Sequence, residues 1–170
     1  MEDFEKLFSC YYGTVYSFLL KMTNYHEDLA AELTQDTFYN AYLAIGDFKG
    51  NCKPETWLIA IAKNRFYMFL RNKKKATLSF EEISGDTADT DTLSPQDETV
   101  KKQVLIHARK VIDSMEPKMR DVMIYRIYSD MPYAQIGRLL SIKENSAKVI
   151  FFRGKEILRK RLKEDYGYEI

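Results

Sequence analysis

The sequence predicts an all-α protein: two small helical domains joined by a flexible acidic linker, the C-terminal one a helix-turn-helix. Three observations carry that expectation. Apolar residues recur at helical spacing along most of the chain, while strand signals are weak. Residues 79–95 (SFEEISGDTADTDTLSP) are acidic, rich in Ser, Thr and Gly, and too poor in apolar side chains to offset the entropy of ordering. Charge, finally, is laid down in blocks of one sign.

Taken in order, the first helix is expected over Asp3 to about Met22, with Phe4, Leu7, Phe8, Tyr11, Val15, Phe18 and Leu19 on one stripe. A second runs from about Glu27 to Ile45, with Leu29, Leu33, Phe38, Ala41 and Ile45 as its core. Gly46 to Pro54 is turn-rich, and Pro54 suits the first turn of a third helix over Glu55 to Lys73. The expected domains are residues 1–77, a linker over 78–95, and residues 96–170. Ser94 can cap and Pro95 can open the next helix, whose core is Val100, Val104, Ala108, Val111, Ile112 and Met115. Glu116-Pro117 ends it, and three helices follow at about 118–128, 132–140 and 143–163.

The 170 residues carry 26 Lys+Arg and 25 Asp+Glu, a net charge of +1 that is a cancellation. Residues 1–48 sum to −6, while residues 63–75 hold six bases and no acid. Residues 79–100 hold seven acids and no base, and residues 138–163 sum to +7. Field strength depends on local charge, so such blocks suggest separate binding faces, with plain solvated faces as the other reading. The composition, 45% hydrophobic and 30% charged, excludes a fully disordered chain. No apolar run approaches the roughly 18–20 residues of a membrane span, and no basic-then-apolar leader opens the chain. A cytoplasmic protein without membrane insertion is expected.

The C-terminal segment is the most informative. Pro132 can open a short helix with Tyr133, Ile136, Leu139 and Leu140 on its apolar face. Ser141-Ile142-Lys143-Glu144 fits a capping box that starts the next helix at once. That helix turns Ala147, Ile150, Phe151, Gly154, Ile157 and Leu158 inward. Ser146, Lys148, Val149, Phe152, Arg153 and Lys155 are left facing outward. A short helix, a tight turn and a basic helix make a helix-turn-helix whose second helix suits a DNA major groove; a plain helical hairpin has the same pattern. The third helix interleaves cations with Phe66, Tyr67 and Phe69, which suits single-stranded nucleic acid, although an amphipathic helix ending in cations also reads this way.

Little else points to chemistry. Asp28, Glu32 and Asp36 form an acidic stripe at i, i+4 and i+8, but no second helix offers converging carboxylates, so docking or solvation is expected and no metal. His26 and His107 are isolated, and Cys10 and Cys52 have neither metal-ligand spacing nor an activating base. No phosphate loop or triad spacing is present, and neither a cofactor nor catalysis is expected.

With these segments placed, the chain resembles the extracytoplasmic-function (ECF) sigma factors of bacterial RNA polymerase. AELTQDTFYNAY (31–42) is similar to that family's helix on the polymerase clamp. FKG (48–50), TWLIAIAKNR (56–65) and LRNKKK (70–75) are similar to its segment that captures the promoter -10 element. LSPQDETV (93–100) resembles the entry to the last domain, and YAQIGRLLSIKENSAKVIFFRGKEILRKRL (133–162) the helix-turn-helix that reads the -35 element. The resemblance implies core-polymerase contacts by Glu32, Gln35, Asp36 and Phe38. It implies contacts to an opened -10 strand by Phe48, Lys49, Asn51, Trp57, Asn64, Arg65 and Arg71, and to -35 duplex by Lys143, Ser146, Lys148, Val149, Phe152, Arg153 and Lys155. It also implies an anti-sigma partner and no cofactor; the acidity of the linker, for its part, suits it to a basic polymerase channel. The chain departs from the family pattern at Gln135 (usually Glu), Gly137 (Ala), Ser146-Ala147 (Thr-Val), Gly154 (Ala) and Met68 (Asp). A stand-alone operator-binding regulator and a nucleotide hydrolase using the Asp28–Asp36 stripe are the competing readings.

Overall fold

The structure, a computed structural model, describes residues 2–81 and 96–169. Seven α-helices and a short 3-10 turn, with no strand, make up the regular structure of those residues: α1 (Glu2–Met22), α2 (Glu27–Ala44), the turn Ile45–Asp47, α3 (Pro54–Glu81), α4 (Gln96–Asp113), α5 (Pro117–Ser129), α6 (Tyr133–Leu140) and α7 (Glu144–Tyr166). The linker expected over 78–95 lies outside the described residues from position 82 onward, as does the Ser94–Pro95 cap. Contacts gather the chain into two units. One is Met1–Phe48 with Leu58–Pro95; the other is Lys49–Trp57 with Gln96–Ile170.

In the first unit, Val15, Phe18, Leu19 and Met22 fall at i, i+3, i+4 and i+7 of α1 and are buried. α2 adds Ala30, Leu33, Phe38 and Ala41 to the buried apolar residues of this unit, and α3 adds Leu58, Ile59, Ala62 and Phe66. Burying each large side chain contributes about 1.5–3 kcal/mol. Two buried threonines of α2 satisfy their hydroxyls locally: Thr34 Oγ1 donates to the Ala30 carbonyl at 2.6 Å and Thr37 Oγ1 to that of Leu33 at 2.7 Å. The α1–α2 turn places Asn24 and Tyr25 at φ 52° and 65°. His26 then caps α2, its Nδ1 accepting from the Leu29 amide at 3.3 Å.

The second unit closes on Val111 and Ile112 of α4, Met115 just beyond it, Val122 to Tyr125 of α5, Met131, Ile136 of α6, and Ala147 and Leu162 of α7. Pro117 sits in the first turn of α5, and the Glu116 carboxylate accepts from the Lys118 and Met119 amides at 3.3 Å each. The link to α6 is tied by Arg126, whose Nη1 donates to the Asp130 and Met131 carbonyls at 3.0 and 3.2 Å. Its guanidinium also lies 5.0 Å from the Tyr133 ring centroid. Buried Arg109 donates through Nε to Asp113 at 3.0 Å and lies over the Tyr128 ring.

Several details differ from expectation. The third helix continues to Glu81 instead of ending at Lys73, because Lys73, Lys74, Lys75 and Ala76 are good helix formers and no Gly or Pro intervenes. Ile45 belongs to the 3-10 turn and is 37% exposed, so it is not α2 core. Val100 and Ile157 are exposed: Val100 lies in the opening turns of α4, and Ile157 lies mid-helix in α7, off the line of buried Ala147, Gly154 and Leu162. Phe8 is also exposed, although its ring meets Phe38 edge-on at 4.8 Å. The capping box is absent: Ser141 adopts φ 55° and closes α6, so its backbone is committed to a left-handed stop. Lys143 precedes α7 without a side-chain cap.

Candidate nucleic-acid interface

The helix-turn-helix is built by a close backbone approach. At Ser141 the chain reverses; the Ser141 amide donates to the Arg138 carbonyl at 3.4 Å and the Ile142 amide to that of Gly137 at 2.8 Å. A Cβ on Gly137 would stand 2.7 Å from the Ile142 carbonyl oxygen, so this turn is only as tight as it is because residue 137 is glycine. Fully buried Ile136 and Ala147, with Tyr133 against Phe151 at 5.7 Å, hold α6 on α7. Further along α7, Gly154 lets the Met123 side chain of α5 approach; a Cβ there would meet Met123 Sδ at 2.5 Å.

With Ala147 and Gly154 packed inward, 3.6-residue geometry fixes the opposite side of α7. Val149 and Phe152 lie at its centre, with Lys148 and Lys155 along one flank and Ser146 and Arg153 along the other. Lys143 precedes the first turn. All seven are exposed apart from half-exposed Lys148, whose Nζ pairs with Glu144 at 3.0 Å. Arg153 and Lys155 hold no ion pair among the described residues. The structure therefore brings together the whole residue set predicted for this helix, as a cationic surface with an apolar centre.

The residues predicted on α3 follow a different logic. Trp57, Asn64 and Arg71 are seven apart and share one side of the helix, with Trp57 half-buried and the other two exposed. Arg65 lies about 100° round, where its Nε donates to Asp36 of α2 and its Nη1 lies 3.2 Å from Met68 Sδ. Phe48 is half-buried, in the first unit. Lys49 and Asn51 are exposed around Gly50, at φ 69°, and fall with Trp57 in the second unit. Arg71, Lys73, Lys74 and Lys75 form an exposed basic run.

On α2, Glu32 and Gln35 are exposed, and Asp36 is turned toward Arg65 while also accepting from Asn40 Nδ2 at 3.1 Å. Phe38 corrects the expectation of a surface contact. It is 3% exposed, ringed by Phe4, Phe8 and Tyr12, and it supports the helix from below. The sequence reading missed the exposed Tyr39, Tyr42 and Leu43, which extend the Glu32–Gln35 side by one and two turns; continuing the i, i+3, i+4 register along the outer side would have found them. His107 stacks on Tyr166 at 3.9 Å, with Tyr168 Oη 3.0 Å from its Nδ1. Burial raises the Cys52 thiol above its ordinary value, which keeps it a poor nucleophile.

A helix-turn-helix with a cationic outer side, in one chain with a second helical unit that carries a basic-aromatic helix, has the make-up of a DNA-binding protein of the transcription machinery. Comparison with known proteins narrows this. The Sigma-70 region 2 family matches residues 7–76 and the Sigma-70 region 4 family residues 108–158, together well over half the chain. The chain is 26% identical to the ECF RNA polymerase sigma factor SigM of Bacillus subtilis, over 91% of this chain and 92% of that one. It is 28% identical to SigW of the same organism, over 96% and 90%. The solved sigma factor RpoE of Bartonella quintana, in complex with the anti-sigma factor NepR, superposes with a TM-score of 0.62 at 18% identity, covering 97% of this chain and 99% of that one. The protein belongs to the sigma-70 family, in its ECF group, and serves promoter recognition and transcription initiation. No helix among the described residues is long and apolar enough to cross a membrane.

Proposed function

We propose that promoter recognition is divided along the chain, with α7 reading the -35 duplex and α2, α3 and the segment linking them joining core polymerase to the opened -10 strand. The carrying observation is the outer side of α7, where Lys143, Ser146, Lys148, Val149, Phe152, Arg153 and Lys155 converge opposite the packed side. Cations on both flanks suit phosphates, and side chains between them suit base edges. Glu32 and Gln35 of α2, continued by Tyr39 and Tyr42, offer the acidic and aromatic surface for the polymerase clamp, with Asp36 and Phe38 shaping it from within. Phe48, Lys49, Asn51, Trp57, Asn64, Arg65 and Arg71 would hold the -10 strand by stacking and backbone contacts. Opening costs a few kcal/mol per flipped base, offset by those contacts and by polymerase binding.

In this reading the protein acts in the cytoplasm, needs no cofactor or catalytic activity of its own, and is restrained by an anti-sigma partner, a reading supported by the complex of the similar RpoE with the anti-sigma factor NepR. In-vitro transcription with core polymerase on a promoter library tests it. Template-specific initiation is expected only when both proteins are present, with footprints over two elements. Tight operator binding by the protein alone, without initiation, would favour a stand-alone regulator.

A further inference from the structure

The centre of the α7 outer side is apolar, which is unusual for a surface built to meet a polyanion. Val149 is 50% exposed and Phe152 59%, one turn apart and directly opposite buried Gly154 and Ala147. Neither is left over from packing: the inward positions are filled, and Phe151 packs against Tyr133 from the neighbouring position. Phe152 is steadied by an edge contact with the Phe151 ring at 5.9 Å. An exposed Val–Phe pair costs solvation in the free protein unless a partner covers it. Lys148 and Lys155 on one flank and Arg153 on the other make a polyanion the complementary partner, since each can reach a phosphate strand while the centre descends into the groove. The major-groove edge of DNA presents one apolar group, the 5-methyl of thymine.

Resting on the assignment of α7 to the -35 duplex, we infer that Val149 and Phe152 read thymine 5-methyl groups there. The chain thereby selects elements with thymine at adjacent or alternate positions on the strand edges facing the middle of α7. Flanking Ser146 and Arg153 add hydrogen-bonded readout beside the methyl contacts. This assigns a specificity role to two apolar side chains that phosphate contacts cannot supply.

The experiment uses the full-length protein in holoenzyme with core polymerase, on a promoter recovered from a library. Each -35 thymine is replaced singly by deoxyuridine, which removes the methyl and nothing else. A loss of about fourfold in affinity is expected at one or two positions, the scale of one buried methyl-sized group. Val149→Ser and Phe152→Ser should each abolish the difference between thymine and uracil at one position, with thermal stability held because both side chains are exposed. A -35 footprint that survives every deoxyuridine replacement unchanged would overturn the inference and leave the -35 assignment standing. So would Val149→Ser or Phe152→Ser weakening polymerase association while thymine and uracil stay equivalent, since a protein then covers the pair. Absence of any -35 footprint would overturn the underlying assignment, and the inference with it.

Discussion

Arg65 of α3 donates through Nε to the carboxylate of Asp36 on α2, joining a residue of the expected polymerase-contacting helix to one of the expected -10 helix. The pair is part-buried, its two side chains 28% and 33% exposed, and Met68 rather than a second carboxylate completes the guanidinium's surroundings. Among the described residues Asp36 thus serves as the one acidic partner of Arg65, and Asn40 holds its other side through a 3.1 Å bond. Removing either charge should therefore loosen α2 from α3. We expect Asp36→Ala and Arg65→Ala each to lower unfolding stability by about 1 kcal/mol, with a coupling of about 0.5–1 kcal/mol in the double-mutant cycle. Denaturant titration of the three variants measures it, and strict additivity would show that the pair is incidental.

The glycines of the helix-turn-helix predict an order of effects. At Gly137 an added methyl meets a backbone carbonyl, which moves only if the turn moves. At Gly154 it meets the Met123 side chain, which has other rotamers but is fully buried. Gly137→Ala should cost about 1–3 kcal/mol and Gly154→Ala less, with Met123→Val relieving only the second. Thermal melts of the four variants check this. Equal costs at the two glycines, or relief of Gly137→Ala by Met123→Val, would contradict the packing described.

Ser141 separates what local pattern could reveal from what it could not. Seven helices were legible because Val15, Phe18, Leu19 and Met22, like Ile136, Ala147 and Gly154, carry the 3.6-residue period in the sequence itself. Helix α7's outer residues were legible for the same reason, as the complement of its packed ones. Ser141 instead fits two rules at once, an N-cap for α7 and a stop for α6, and the backbone chose the stop because Gly137 lets the chain reverse in left-handed geometry. The Asp36–Arg65 pair was invisible for another reason. Its partners are 29 residues apart, and no periodicity links positions on different helices. Burial of Phe38 was legible from the α2 period, but its aromatic partners Phe4, Phe8 and Tyr12 come from α1, which a scan of α2 alone does not supply.

A left-handed Ser141 makes a distinguishing prediction. Ser141→Gly should stabilise the protein by about 0.5–1 kcal/mol, since glycine adopts φ 55° without a Cβ penalty. Ser141→Ala should be close to neutral. A capping serine would behave otherwise, with alanine costing about 1 kcal/mol and glycine gaining nothing. Chemical denaturation of both variants decides between the two.

Charge on α7 gives the last expectation. Arg153 and Lys155 are exposed and unpaired among the described residues, whereas Lys148 already holds Glu144 at 3.0 Å. If the two free cations contact -35 phosphates, each contributes about one released counterion to the salt dependence of binding. Lys155→Ala should then lower the slope of log affinity against log salt by about 1, on all promoters alike. Lys148→Ala should lower it less, because its charge is already partly neutralised by its helical neighbour. Glu144→Gln, which frees Lys148, should raise the slope. Holoenzyme binding to one promoter across a salt series measures all three. A slope unmoved by Lys155→Ala would take that residue out of the phosphate contact, while an equal fall for Lys148→Ala would mean the Glu144 pair breaks on binding.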